Sequence, residues 1–319
     1  MLWTNTARLP EDSMTDLGQI AKQQVIDLVA GYSVETTPGT AAKIPDYRAY
    51  LAPGTTVSVT FLAGSDFGDT IATARRLKTE GFRPAPHFAA RSFPDLAAFA
   101  EGVKRMEEEA GVDTAVALAG GLSHPVGALD NSMQLLESGL FEKHGVARIG
   151  VAGHPEGSPD IEDGELARAL AWKNAYAAQS SAQLYIATQF CFEAEPVIAW
   201  DRAIARAGNR LPIRVGIPGL ATLKTLINHA RICGIGPSIR VLTRQARNIT
   251  RLMTLQTPDR LLLDLARYKA SDPDCGIEGL HVYPLGGLRK TAAWLTAIQE
   301  GDFTIHPDGN GFTVDRPIE

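Results

Sequence analysis

Short apolar runs of strand length alternate along the chain with longer segments in which apolar residues return every three or four positions. The runs fall at 32–35 (YSVE), 57–61 (VSVTF), 85–87 (APH), 115–118 (AVAL), 148–152 (RIGVA), 184–190 (LYIATQF), 213–217 (IRVGI) and 280–283 (LHVY). Helical periodicity occupies 69–80, 95–109, 132–144, 165–179, 195–207, 220–232 and 257–269. Ahead of them, 14–30 predicts a further helix, with Leu17, Ile20, Ala21, Val25, Leu28 and Val29 on one stripe and Gly31 as its stop. Eight strands separated by helices predict an α/β chain folded as a single (β/α)8 TIM barrel with an N-terminal helical extension. A doubly wound open sheet is the alternative; against it, no GxGxxG follows the first strand and no acidic residue sits where a dinucleotide crossover needs one. The expected layout is a tail and helix over 1–30, a barrel over 31–305 and a C-terminal tail over 306–319.

Composition narrows the class without naming an activity. With 45% hydrophobic residues in 319 there is ample chain for a large core, and disorder is excluded. Three cysteines (Cys191, Cys233 and Cys275), far apart and without CxxC or Cys/His spacing, point to a reducing compartment and no structural zinc. A balance of 31 Lys and Arg against 36 Asp and Glu argues against nucleic acid or an anionic membrane as partner. Residues 1–13 are polar and read as neither signal peptide nor membrane span, so a cytoplasmic location is expected and these residues are set aside as tail. A homo-oligomer is left open.

In a (β/α)8 barrel the chemistry gathers at the C-terminal ends of the strands. Here those ends carry Glu35, Thr60-Phe61, His87, Ala119-Gly120-Gly121, His154-Pro155-Glu156, Gln189 and Tyr283. Such a ring of polar residues behind apolar runs predicts a polar ligand in a partly apolar mouth. Any one of them alone reads as the start of a loop.

The set resembles the methylenetetrahydrofolate reductase family. The matching pieces are Val34-Glu35 followed by Pro38, the run 57–61, Ala85-Pro86-His87, Val116-Ala117-Leu118, Val151-Ala152 with His154-Pro155-Glu156, Ala187-Thr188-Gln189-Phe190 with Phe192, Ile217-Pro218-Gly219, and His281-Val282-Tyr283. The resemblance implies a barrel that interconverts 5,10-methylenetetrahydrofolate and 5-methyltetrahydrofolate, passing hydride from NAD(P)H through FAD within one-carbon metabolism. It implies that Glu35 is the general acid that opens the folate ring, and that Gln189 hydrogen-bonds the pterin edge. It also implies that Thr60, Phe61, Ala63, His87, Ala119, Gly120, Gly121, His154, Lys173 and Tyr283 surround the flavin, with Lys173 at its phosphates. A carboxyl in an apolar mouth, with only Thr36 and Thr37 following it, predicts a raised pKa for Glu35.

Three departures accompany the match. The family's Leu-Arg-Gly-Asp after strand four reads Leu118-Ala119-Gly120-Gly121, which removes an arginine at Ala119 and an aspartate at Gly121. After strand eight, Tyr283-Pro284-Leu285-Gly286-Gly287-Leu288-Arg289-Lys290 replaces Tyr-Thr-Leu-Asn-Arg. That stretch reads either as an anion site near Arg289, which would contact a folate carboxylate, or as a tight turn. Two other functions stay in view: a reductase that needs no flavin, and a folate-binding or methyl-transferring barrel without hydride chemistry. Nothing follows Glu319, so the large regulatory domain of longer relatives is not expected.

Overall fold

The computed structural model describes residues 11–232 and 252–318; the first ten residues of the expected tail, Cys233 and Glu319 lie outside them. Eight parallel strands close into a barrel. They are β1 (Ser33–Thr36), β2 (Thr56–Val59), β3 (Arg83–Ala89), β4 (Thr114–Leu118), β5 (Arg148–Gly153), β6 (Gln183–Phe190), β7 (Ile213–Pro218) and a closing strand, Ile277–Tyr283, set between β7 and β1. The seam between β1 and the closing strand is short, with Ser33 opposite His281 and Val34 opposite Val282. Each predicted run lies on one of these strands, to within a residue or two at most ends.

The helices form because their apolar stripes meet the outer face of the sheet, and many start on a side-chain cap. Asp66 accepts from the Gly68 N–H to open Phe67–Thr79, and Asp95 accepts from Ala98 to open Leu96–Ala110. The latter helix ends on Gly111 in the left-handed conformation, φ 55°. Between helices and strands lies one apolar core, in which Val57, Ala115, Ile149, Ile186, Val215 and Leu280 are inaccessible to solvent. The N-terminal helix, Glu11–Val29, buries Val25, Leu28 and Val29 and packs on the helices Asp259–Ser271 and Leu288–Gln299. It starts three residues earlier than its periodicity predicts.

Two parts depart from the expected layout. Beyond 305 the chain is not a bare tail: Phe303–Ile305 pairs antiparallel with Phe312–Val314, and Phe312 stacks on Trp294 at 5.9 Å. The alternation there is too short to read as strands, and the hairpin is held by burying two phenylalanines. Between β7 and Asp259, Ala221–Thr222 pairs with Leu255–Gln256 beside the helix Leu223–Ile232. In this insertion Ala221, Leu223, Leu226, Ile227 and Ala230 form an apolar cluster with Phe190 from the end of β6, and Tyr283 and Leu285 pack against it.

The turn after the closing strand needs its glycines for packing. A Cβ on Gly286 would lie 2.0 Å from the Leu220 carbonyl oxygen, and Gly287 has φ 113°. The tight-turn reading of this stretch therefore accounts for both glycines. Gly286→Ala is expected to cost about 1–3 kcal/mol through overpacking against backbone, read as a lower urea midpoint. Gly279→Ala, where no atom lies within 4 Å, serves as a control and should change little.

Candidate active site

The C-terminal mouth brings Glu35 from β1, Thr60 just past β2, His87 from β3 and His281 from the closing strand to one point. Successive side chains on a strand alternate between faces, so Ser33 and Glu35 share a side of β1, as His281 and Tyr283 share a side of the closing strand. Thr60 Oγ1 donates to Glu35 Oε1 at 2.7 Å. His281 Nε2 lies 3.2 Å from Oε2 and His87 Nε2 lies 3.7 Å from the same oxygen. Behind the cluster, Ser33 Oγ and His281 Nδ1 are 2.8 Å apart, which orients the imidazole. His281 and His87 are buried, and Glu35 is partly exposed toward the mouth.

This environment corrects the expected pKa of Glu35. Burial is the largest single influence and pushes the carboxyl up. The hydrogen bond from His281, the charges of His87 and His281 and the Thr60 hydroxyl together outweigh it and hold the carboxyl below its ordinary value. The sequence neighbours of Glu35 offer no cation, but the barrel supplies two imidazoles from residues 52 and 246 positions away. Burial lowers the pKa of His87, with Glu35 opposing and His281 reinforcing the shift.

Gln189 is half-buried at the end of β6, and its amide makes no hydrogen bond to another described residue. The backbone carbonyl of Gln189 accepts from the Thr188 hydroxyl at 2.7 Å, while that hydroxyl accepts from the Gly216 N–H at 2.8 Å. The Tyr283 hydroxyl donates to the Thr188 carbonyl at 2.9 Å, and its ring meets His281 edge-on at 4.8 Å. Phe61 is half-buried and packs on Phe67 at 5.1 Å; Ala63 is exposed in the loop beyond it. Gly120, at φ 98°, and exposed Gly121 leave the end of β4 without a charged side chain. Arg91 spans that gap instead: its guanidinium binds Asp130 at 2.9 Å and the Leu122 carbonyl at 3.1 Å, and its backbone N–H donates to Ala119.

Lys173, on the helix Asp163–Ala177, is 7% exposed with no carboxylate or other acceptor among the described residues. Burial pushes its pKa down from 10.5 to about 8. Beside it, burial and then the Lys173 charge lower His154 to about 4. Arg289 is exposed at the start of its helix and has no hydrogen bond or ion pair to another described residue. The residue that sequence reasoning left unassigned is His281. Its only signal was a histidine inside an apolar strand run, flanked by Leu280 and Val282.

No family model matches the chain. Among solved structures it is similar to oxaloacetate acetylhydrolase, at 10% identity and TM-score 0.45 over 89% of this chain and 84% of that one. It is also similar to a mandelate oxidase variant, at 10% identity and TM-score 0.36 over 97% and 78%. A third likeness, at 14% identity and TM-score 0.28 over 72% and 94%, is to an NADH-dependent enoyl-[acyl-carrier-protein] reductase from Aquifex aeolicus VF5. All three names are those of enzymes. The barrel itself stands on the closed ring of strands, and no described helix is long and apolar enough to cross a membrane.

Proposed function

We propose that this barrel is an oxidoreductase of the methylenetetrahydrofolate reductase kind, with Glu35 as its proton donor. The observation that carries the reading is the partly exposed carboxylate gripped by Thr60 and His281 at the mouth, with the unengaged amide of Gln189 at the end of β6. A carboxyl held below its ordinary range is ionised near neutrality, so it cannot act alone as an acid. With one added proton the Glu35–His281 pair becomes either carboxylate and imidazolium or carboxylic acid and imidazole. These differ only by a proton moved along the 3.2 Å contact. A proton added to this pair is one that Glu35 can hand to an amine nitrogen of the folate, while the Gln189 amide offers a donor and an acceptor to the pterin edge.

The residues present fit a flavin dinucleotide. The ammonium of a largely buried lysine with no counter-anion among the described residues is a ready partner for a phosphate, and Lys173 carries one. Gly121 leaves open space at the mouth, with no atom within 4 Å of a Cβ there. FAD, when bound, supplies a two-electron hydride carrier between nicotinamide and folate. Lys173 would hold its phosphates, and Phe61 and Tyr283 would flank its ring.

The uncharged end of β4, with Ala119 and Gly121, favours one second reading, a reductase without flavin. The purified protein decides between them. It is expected to be yellow, to bleach anaerobically with NADH or NADPH, and to regain its colour with methylenetetrahydrofolate. A colourless protein that oxidises the nicotinamide with the folate would overturn the flavin. A yellow protein that bleaches but never passes hydride to the folate would overturn the substrate.

A further inference from the structure

We propose that the N-terminal mouth of the barrel, at the opposite end from Glu35, binds a small phosphomonoester. Three arginines ring this end, at the starts of alternate strands: Arg83 on β3, Arg148 on β5 and Arg214 on β7. Alternate strands contribute to one layer of such a barrel, and Arg148 and Arg214 meet at Glu278. Gly150 and Gly216 stand above Arg148 and Arg214 on their strands. A Cβ on Gly150 would meet the Tyr185 ring at 2.8 Å, and Arg148 lies over that ring at 5.4 Å.

The charges here are loosely matched. Arg148 Nη2 and Arg214 Nη2 both approach the same oxygen, Glu278 Oε1, each at 3.5 Å. Arg83 Nε stands 4.0 Å from Asp113 Oδ1. Elsewhere in the molecule Arg76–Glu80 and Arg105–Glu109 close to 2.6 and 2.7 Å. Three cations thus face two carboxylates at 3.5 Å or more, Arg214 donating also to the Gly31 carbonyl at 3.0 Å, and the buried Nε of Arg148 has no acceptor among the described residues. A charged plug serving stability alone would satisfy that donor.

Beside Arg83 and Arg148 lies a cavity of about 350 Å³, lined also by Asp113, Thr114, Ser181 and Gln183, with Arg214 and Glu278 outside its lining. The guanidinium fork matches phosphate oxygens in geometry and charge. Asp113, Ser181 and Gln183 offer acceptors and donors to hydroxyl groups, which a bare phosphate lacks. The cavity therefore suits a phosphate carried on a small hydroxylated body.

Calorimetric titration of the full chain with inorganic phosphate and with glycerol 3-phosphate, in chloride buffer of matched ionic strength, tests this. Both should bind, the ester more tightly. Arg148→Gln should weaken both about tenfold or more, as loss of a charged hydrogen bond does. Glu278→Gln, which frees two guanidinium groups, should tighten both, so the test survives if Arg148→Gln fails to fold. Arg105→Gln, on an exposed helix face where it pairs with Glu109, should leave the response unchanged, which separates this site from general surface charge. Equal affinity for the two ligands would overturn the ester, and binding indifferent to Arg148→Gln and Glu278→Gln would overturn the site.

Discussion

Glu35→Gln is expected to slow reduction of methylenetetrahydrofolate by about 10²–10⁴-fold, the usual span of general acid catalysis. Transfer of hydride from NAD(P)H to flavin in the same variant should be nearly unchanged. The amide keeps the volume and an oxygen to accept from Thr60, but it has no proton to give an amine nitrogen. Because the proton-bearing form is the active one, the folate half-reaction of the parent should fall as pH rises. His281→Phe removes the hydrogen bond that does most to hold the Glu35 carboxyl down, leaving burial opposed only by His87 and Thr60, and it removes the pair's second seat for the proton. Glu35 must then carry the proton alone, so the position of the falling limb should shift. Stopped-flow traces of the two half-reactions across pH check both points. Parent-like folate reduction in Glu35→Gln would sink the acid assignment and favour a barrel that only binds or transfers on folate.

Lys173→Met should make the protein more stable at pH 7 by about 3 kcal/mol, while weakening retention of FAD. Holding the ammonium in a site where its pKa falls from 10.5 to about 8 costs roughly 1.4 kcal/mol for each pH step between those values. The sign follows from proton counting. Between pH 8 and 10.5 the unfolded chain binds the extra proton and the folded chain does not, so parent stability rises with pH across that window. Below it the charged, buried lysine carries its full cost, and above it the parent and the variant converge. Urea unfolding of the apoprotein at pH 7 and pH 10 measures the gap. If Met gives no gain at pH 7, the ammonium has an anionic partner in the free protein and is not waiting for one.

The sequence located much of this architecture because the barrel repeats one simple pattern. Each strand is a short apolar run, and each run ends where polar residues begin, so Glu35, Thr60, His87 and Gln189 could be picked out by position alone. What could not be read was which ends meet. His281 sits between Leu280 and Val282 and looks like core, yet its register opposite Ser33 swings Nε2 onto Glu35. The same blindness led to a raised pKa for Glu35, since burial is legible in a run of apolar neighbours and a partner 246 residues away is not. The C-terminal hairpin escaped because its two strands are three residues each, too short for a period to show.

The seam between β1 and the closing strand has a consequence for when the protein first becomes competent. Only two residue pairs join these strands, and the Ser33–His281 and His281–Glu35 contacts lie across the same join. They link residues 246 to 248 positions apart, among the longest loops the chain can close, and long-range closure is slow. The cluster of Ser33, Glu35 and His281 is thus assembled by the act that seals the ring. A nascent chain that has made its first seven strands holds Glu35, Thr60 and His87 but lacks the imidazole that completes them. Activity in this molecule would arrive with closure, and recovery of folate reduction during refolding would time the last strand into place.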